Sequence, residues 1–209
     1  MSAAAMQLPT RQQLRIQETQ ARLLNAAEEI FVRDGYEAAQ LDEIAAAAGR
    51  SKGAVYTHFK SKEDLFLALF EHRTRSYVDR FVLSLEKCRN RQESMAAFRE
   101  FYVGLASDRT WPILTLEFKL FALRHPESKQ RLRKAFEMAK PPRNEAGDHR
   151  MFGTLTQCQK LDDDLALIAL GPILSGLILE SHFESTTLTE KALRRILGRI
   201  FDALFPENR

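Results

Sequence analysis

The stretch Leu41-Asp-Glu-Ile-Ala-Ala-Ala-Ala-Gly49-Arg-Ser51-Lys-Gly53-Ala-Val-Tyr56-Thr-His-Phe59-Lys-Ser61-Lys-Glu-Asp-Leu65 decides how this chain is read. It holds two short helical segments separated by Gly49, the residue type best suited to the left-handed backbone of a tight turn. Ala45 to Ala48 are small enough to let two helices cross closely. Leu41, Ile44, Val55 and Phe59 are spaced to hold the pair against a third helix. Ser51 can cap the second segment, and Ser61, followed by the acidic Glu63 and Asp64, can start the next helix. A segment as short as the one that Ser51 caps and that runs through Phe59 cannot hold a helix alone and must be braced by packing, which suits a reading head in a helix-turn-helix.

Outward from that core, nearly every long segment carries helical periodicity and none alternates as a strand. Upstream, Leu23, Leu24, Ala27, Ile30 and Phe31 share one face of a helix that Gly35 should end. Residues 1–15 are polar, contain Pro9, and are expected to form a flexible arm. Downstream, helices are expected between breaks at Asp108-Arg109-Thr110, His125-Pro126 and Lys140-Pro141-Pro142. Residues 143–161 are polar and weakly periodic and read as loop with some helix. Two strong helices close the chain, one over about Asp163 to Phe183. The other should start at Thr187, whose spacing to Glu190 fits a capping box. The result is an all-α chain of about nine helices.

At 209 residues with 44% hydrophobic side chains, the chain can bury a sizeable core. No apolar run reaches a membrane-spanning length, the first residues lack the apolar core of a secretion signal, and a cytoplasmic location is expected. Cys88 and Cys158 lie far apart and form no metal-type pair. The five histidines make no Glu-x-x-His or His-x-x-x-His arrangement, and no phosphate-cradling glycine loop occurs. An enzyme, a metal site and a cofactor are therefore not expected. The net charge of +3 is a weak pointer to nucleic acid, but the placement of charge is informative. Four basic residues, a histidine and no acid occupy Arg50 to Lys62.

The combination Gly35-Tyr36, Ile44-Ala45, Ala48-Gly49, Ser51-Lys52-Gly53-x-Val55-Tyr56-x-His58-Phe59 and Ser61-Lys62-Glu63-x-Leu65 resembles the TetR family of bacterial transcriptional regulators. The likeness covers roughly residues 19–70. It implies an N-terminal three-helix helix-turn-helix DNA-binding domain over 16–62 and a C-terminal helical ligand-binding and dimerisation domain over 63–209. Carried over by position, Lys52, Gly53 and Thr57 are the candidates for contacts at or near base edges in a major groove. Tyr56, His58, Lys62, Ser51, Arg50 and Gln40 are the candidates for phosphate. The chain departs from the family at Ala39 and Gln40, where Thr or Ser commonly caps the second helix, and at Arg50, a turn position often filled by Val. Gln is a poor cap, so a phosphate contact there would need its longer amide.

The same resemblance implies a homodimer reading a palindromic DNA operator. Its interface would be built from Leu170, Ile173, Leu174, Gly176 and Leu177, with Leu193, Ile196, Leu197, Ile200, Phe201 and Leu204. It also implies a small-molecule effector, partly hydrophobic, inside the middle helices. Phe98, Phe101, Tyr102, Trp111, Glu117, Phe118, Phe121 and Phe183 are the candidate lining. Such a protein would most often be a repressor released by its effector. The competing reading is a helical dimeric interaction protein that has lost specific DNA binding, with Gln40 as its suggestive residue.

Overall fold

A computed structural model describes residues 10–128 and 157–206, together with residues 130 and 133. The order is α1 (Arg11–Ala38), α2 (Leu41–Ala47), α3 (Lys52–His58), α4 (Lys62–Glu86) and α5 (Arg91–Gly104), then α6 (Trp111–Arg124), α7 (Gln157–Glu180) and α8 (Glu190–Leu204). Short 3-10 turns follow α5 at Leu105–Ser107 and α6 at Pro126–Ser128. Among the described residues there is no strand, so the all-α reading stands. The Lys140-Pro141-Pro142 break, residues 143–156 and the first nine residues lie outside the described residues. The rest of the stretch expected as loop with some helix, residues 157–161, is helical and forms the start of α7. Two compact units result, Met1–Leu69 and Phe70–Arg209.

In the first unit α1 begins at Arg11, which corrects the expectation of an arm through residue 15. Thr10 and Gln13 form a reciprocal capping box: Thr10 Oγ1 accepts from the Gln13 amide at 3.2 Å, and Gln13 Oε1 accepts from the Thr10 amide at 2.8 Å. Residues 11–18 are all exposed, so no apolar periodicity announces this turn of helix. Gly35 interrupts α1 with φ of 77°, and one further turn then runs to Ala38. Leu23, Ala27, Phe31, Ile44, Val55 and Leu65 are fully buried. Phe66 packs its ring 4.9 Å from both Phe31 and Tyr36. The first two turns of α4 therefore belong to this unit, seven residues beyond the boundary expected from the sequence.

In the second unit α5, α7 and α8 share a core of Phe98, Tyr102, Leu170, Leu174, Leu193 and Phe201, with others around them. The Tyr102 hydroxyl donates to the Leu170 carbonyl at 3.1 Å, satisfying both groups inside this core. Two expectations are corrected here. Leu170, Leu174, Leu193, Leu197 and Phe201, assigned to an interface between copies, are buried within one chain. Ile173, Leu177 and Leu204 are half-buried against the same core, Ile196 and Ile200 are half-buried, and Gly176 is exposed. Periodicity reports that a face is covered, but it does not report by which chain.

The second correction concerns the start of α8, where Thr189 and not Thr187 is the cap, accepting from the Ala192 amide at 3.3 Å. With Thr189 as cap, Leu188 precedes it and packs against the shared core to which Leu193 belongs, the placement of a hydrophobic staple, which Thr187 as cap would not give. Glu190 turns instead to Arg194 at 3.0 Å and to the Ser107 hydroxyl at 2.8 Å. Residues 181–187 are turns, so α7 ends at Glu180, short of the Phe183 expected.

Candidate nucleic-acid interface

The turn between α2 and α3 is set by Gly49, whose φ is 65°. Its amide donates to Ala46 O at 3.0 Å and the Arg50 amide to Ala45 O at 2.9 Å, closing the end of α2. Ser51 then caps α3, its hydroxyl accepting from the Ala54 amide at 3.3 Å. Val55 and Phe59 are buried and anchor this two-turn helix. What remains outside is a short face carrying Lys52, Gly53, Tyr56 and Thr57, all exposed, with Ser51 at its head. Tyr56 is 50% exposed despite its size. His58 is half-buried, with its ring 6.2 Å from that of Phe59.

Gly53 is informative because nothing inside the chain requires it. A Cβ there would meet only Ser51 Oγ at 3.8 Å, an ordinary contact. Thr57 donates its hydroxyl to the Gly53 carbonyl at 3.0 Å, leaving its methyl and the oxygen lone pairs to face outward. Lys52 pairs with Asp42 of α2 at 3.0 Å between exposed side chains, and this hydrogen bond raises the ammonium pKa above its ordinary range. Lys52 thus stays charged and is held in place by an ion pair weak enough to exchange for another anion.

Gln40 is the first flanking residue of α2 and makes no cap bond. Its amide instead donates to the Ala38 carbonyl at 3.3 Å, as the poor capping power of Gln leads one to expect. Arg50 reaches the Gly49 carbonyl at 3.3 Å and Thr19 Oγ1 at 3.5 Å and is half-buried. Lys62 is the residue whose surroundings differ most from expectation. Its ammonium donates to three carbonyls, Tyr36 at 2.8 Å, Glu37 at 3.0 Å and Ala39 at 3.2 Å, and lies 4.7 Å from the Tyr36 ring centre. All three N–H groups are engaged by the chain itself, so Lys62 ties the α1–α2 junction to α4, and no donor is left for phosphate.

The candidate effector residues in the second unit do not form one set. Phe98 and Tyr102 are core beside Phe201, and Phe101 lies 5.1 Å from Phe81. Trp111 and Phe118 both stack on Phe70, with ring centres 5.2 and 3.8 Å away. Phe121 is buried with its ring 4.4 Å from His125, and Glu117 is half-buried. Phe183 is 84% exposed in the turns after α7, so it lines no interior site of this chain. Sequence reasoning passed over Asp108, which accepts from Arg73 at 2.7 Å, from Tyr77, from the Thr110 hydroxyl and from the Trp111 amide at 2.9 Å. The only signal in the sequence was its place one turn before a helix, where an acceptor can serve its amides. Among the described residues no cluster could hold a metal ion and no helix is long and apolar enough to cross a membrane.

Comparison with known proteins agrees with this architecture. The family profile "Bacterial regulatory proteins, tetR family" matches residues 23–69. The HTH-type transcriptional regulator TtgW of Pseudomonas putida is 33% identical over 113 residues, 54% of this chain and 69% of that protein. The HTH-type transcriptional activator FasR of Mycolicibacterium smegmatis is 42% identical over 92 residues, 44% of this chain and 42% of FasR. The chain spans about half the length of several such relatives. Among solved structures, FadR of Bacillus subtilis in complex with stearoyl-CoA has the same fold over 89% of this chain and 97% of that one, with a TM-score of 0.65 at 19% identity. With a braced helix-turn-helix at its N-terminus and a helical second unit, this chain belongs to the TetR family of bacterial transcriptional regulators.

Proposed function

We propose that the chain acts as a homodimer that binds a palindromic DNA site through α3 and releases it when a small-molecule effector occupies the second unit. The observation that carries the DNA reading is the outer face of α3. Val55 and Phe59 fix the helix from behind, while Lys52, Gly53, Tyr56 and Thr57 stay exposed on its front. The absence of any intrachain need for Gly53 supports a close approach of backbone to DNA. Lys52 and Thr57 would read base edges, and Tyr56, Ser51 and His58 would bind phosphate. One reading helix of two turns offers few contacts, and two copies on a palindrome supply the rest.

The dimer reading is supported by α7, whose outward Leu165 and Ile168 are 56% and 65% exposed. Pro172 and Gly176, also exposed, continue that face, and small or rigid residues there permit close packing. For the effector, the FadR–stearoyl-CoA structure suggests long-chain acyl thioesters as the first class to try. Because α4 is continuous from Lys62 to Glu86, it starts in the first unit and ends in the second, and is the natural carrier of the signal. The coupling must be reciprocal, of the order of ~1–3 kcal/mol. In the family's most common mode the protein would be a repressor. Deleting the gene would then raise transcription of its targets, whereas an activator's targets would fall.

The test is selection of bound duplexes from a random pool, followed by anisotropy titrations of the winner at several salt concentrations. A palindrome bound by two subunits with a steep salt slope supports the reading. Tyr56→Ala should weaken binding broadly across sequences and leave the oligomeric state intact. Weak binding without sequence preference at every salt would instead favour a helical interaction protein.

A further inference from the structure

Two hydroxyls in the second unit are buried and lack a hydrogen bond. Thr74 on α4 is 5% exposed and Thr115 on α6 is 8% exposed, and neither Oγ1 has a partner. Leaving a hydroxyl in that state carries an uncompensated desolvation cost, so two of them call for an explanation. Their places in the fold are related. Phe70, one turn before Thr74, stacks at 3.8 Å on Phe118, one turn after Thr115. Tyr77, one turn after Thr74, lies 5.2 Å from Trp111, one turn before Thr115. Helical spacing therefore puts both threonines on the facing surfaces of α4 and α6, between two aromatic contacts.

The chemistry changes along this seam. Phe70 and Phe118 are buried at one end. At the other end Trp111, which also stacks on Phe70 at 5.2 Å, and Tyr77 are half-buried; the guanidinium groups of Arg73 and Arg80 lie 5.4 and 5.8 Å from the Tyr77 ring, and the Asp108 carboxylate accepts from Arg73 and from Tyr77. An apolar interior, two neutral hydroxyl donors and a rim of two guanidinium groups and one carboxylate, with a net positive charge, match in order the acyl chain, the thioester carbonyl and the anionic carrier of an acyl thioester. A thioester carbonyl has two lone pairs and can accept from both hydroxyls.

We propose that Thr74 and Thr115 form the polar subsite of a ligand site between α4 and α6, donating to the thioester carbonyl of a long-chain acyl carrier ester. This rests on the effector reading above and assigns that reading its residues. Ligand entry would part the Phe70–Phe118 stack, which places α4 itself in the path of the response. A ligand that satisfies two otherwise unpaired donors gains specificity, because an analogue without the carbonyl leaves them unpaired again.

Trp111 is the chain's single tryptophan and sits at this seam, so its emission reports on the site directly. The 209-residue chain is titrated with stearoyl-CoA, with coenzyme A alone and with octadecane-thioether coenzyme A, which lacks the carbonyl. Saturable change with stearoyl-CoA, weakened five- to tenfold by Thr74→Val and by Thr115→Val and restored by Thr115→Ser, is the expected result. The thioether analogue should bind wild type and both valine variants alike. Apo protein carrying either valine should melt no lower than wild type, since the hydroxyl it loses had no partner. The proposal is overturned by stearoyl-CoA that fails to bind wild type, or by affinity that both valine variants leave unchanged. A fall in apo stability with unchanged affinity would assign the hydroxyls to an internal water. Threonine-dependent binding that leaves DNA affinity untouched would instead refute the effector reading and keep the subsite.

Discussion

Replacing Lys62 with Met separates the phosphate contact that the family resemblance implies from the clamp that the structure shows. As a phosphate contact, Lys62 would contribute to DNA affinity through counterion release. As the structure has it, the ammonium joins three backbone carbonyls and the Tyr36 ring. Two of the three bonds, to Tyr36 and Ala39, are part-buried, and the third, to Glu37, is exposed. Counting about 1 kcal/mol for each part-buried bond and little for the exposed one gives ~2 kcal/mol. The ring contact adds ~0.5–1 kcal/mol. Ordering a lysine side chain costs ~1–2 kcal/mol in return. Met keeps the apolar stem, so the expected loss of stability is ~1–2 kcal/mol.

For a chain of this length that is a fall in melting temperature of roughly 2–8 °C. The DNA assay carries the sharper distinction. A lost phosphate contact reduces the slope of log affinity against log salt by about 1. A slackened α1–α2 junction weakens binding at every salt and leaves the slope alone. Lys62→Met with unchanged melting and a shallower salt slope would refute the clamp.

Three further outcomes are expected. Gln40→Ser supplies the missing cap of α2 and should stabilise the protein by ~0.5–1 kcal/mol in thermal melts, since Gln40 makes no cap bond now. Burial pushes the Asp108 carboxyl up, but the Tyr77 hydroxyl, the Trp111 amide and the Arg73 guanidinium outweigh it and hold the group below the usual carboxylate range. Its folded pKa is thus depressed, so its stabilisation is present above about pH 4 and lost as the pH falls through the folded value. Asp108→Asn should lower stability at neutral pH and flatten that acid limb in denaturation curves. Ile168→Arg, at a site 65% exposed in the single chain, should leave monomer helicity intact and convert a dimer to monomers in sedimentation. Retained dimerisation would move the interface off this face of α7.

How far the sequence could be read follows from what each signal reports. The α2–α3 turn was legible because a local rule fixes each of its parts: small residues at the crossing, Gly49 in the left-handed region and Ser51 as cap. The first turn of α1 was missed because its residues are all exposed and show no periodicity, although Thr10-x-x-Gln13 was there to be seen. At α8 Thr189 and not Thr187 is the cap, and Leu188 just before it packs against the core, a tertiary contact invisible to the spacing of Thr187 and Glu190. Lys62 illustrates a different limit. Its position in the motif says that a cation is needed there, but only the fold shows that the carbonyls of Tyr36, Glu37 and Ala39 converge on it.

The same distinction bears on how the second unit associates. In α8 the apolar stripe is sharp and sets Phe201 against Phe98 and Tyr102 of the same chain, while Ile196 and Ile200 stay half-buried. In α7 apolar residues lie on more than one side of the helix from Leu165 onward. Ala166, Leu170, Leu174 and Ile178 take the covered side, leaving Leu165 and Ile168 outside. A helix with apolar residues on more than one face gains from cover on more than one side. Gly171, Pro172 and Gly176 lie on the uncovered side and offer little side chain to shield it from water. Surface of that kind gains most from a flat, closely approaching partner, and a two-fold axis would supply it with an identical helix from a second copy. On the proposed reading a second copy would also bring a second α3, so an association that covers α7 would suit a palindromic site.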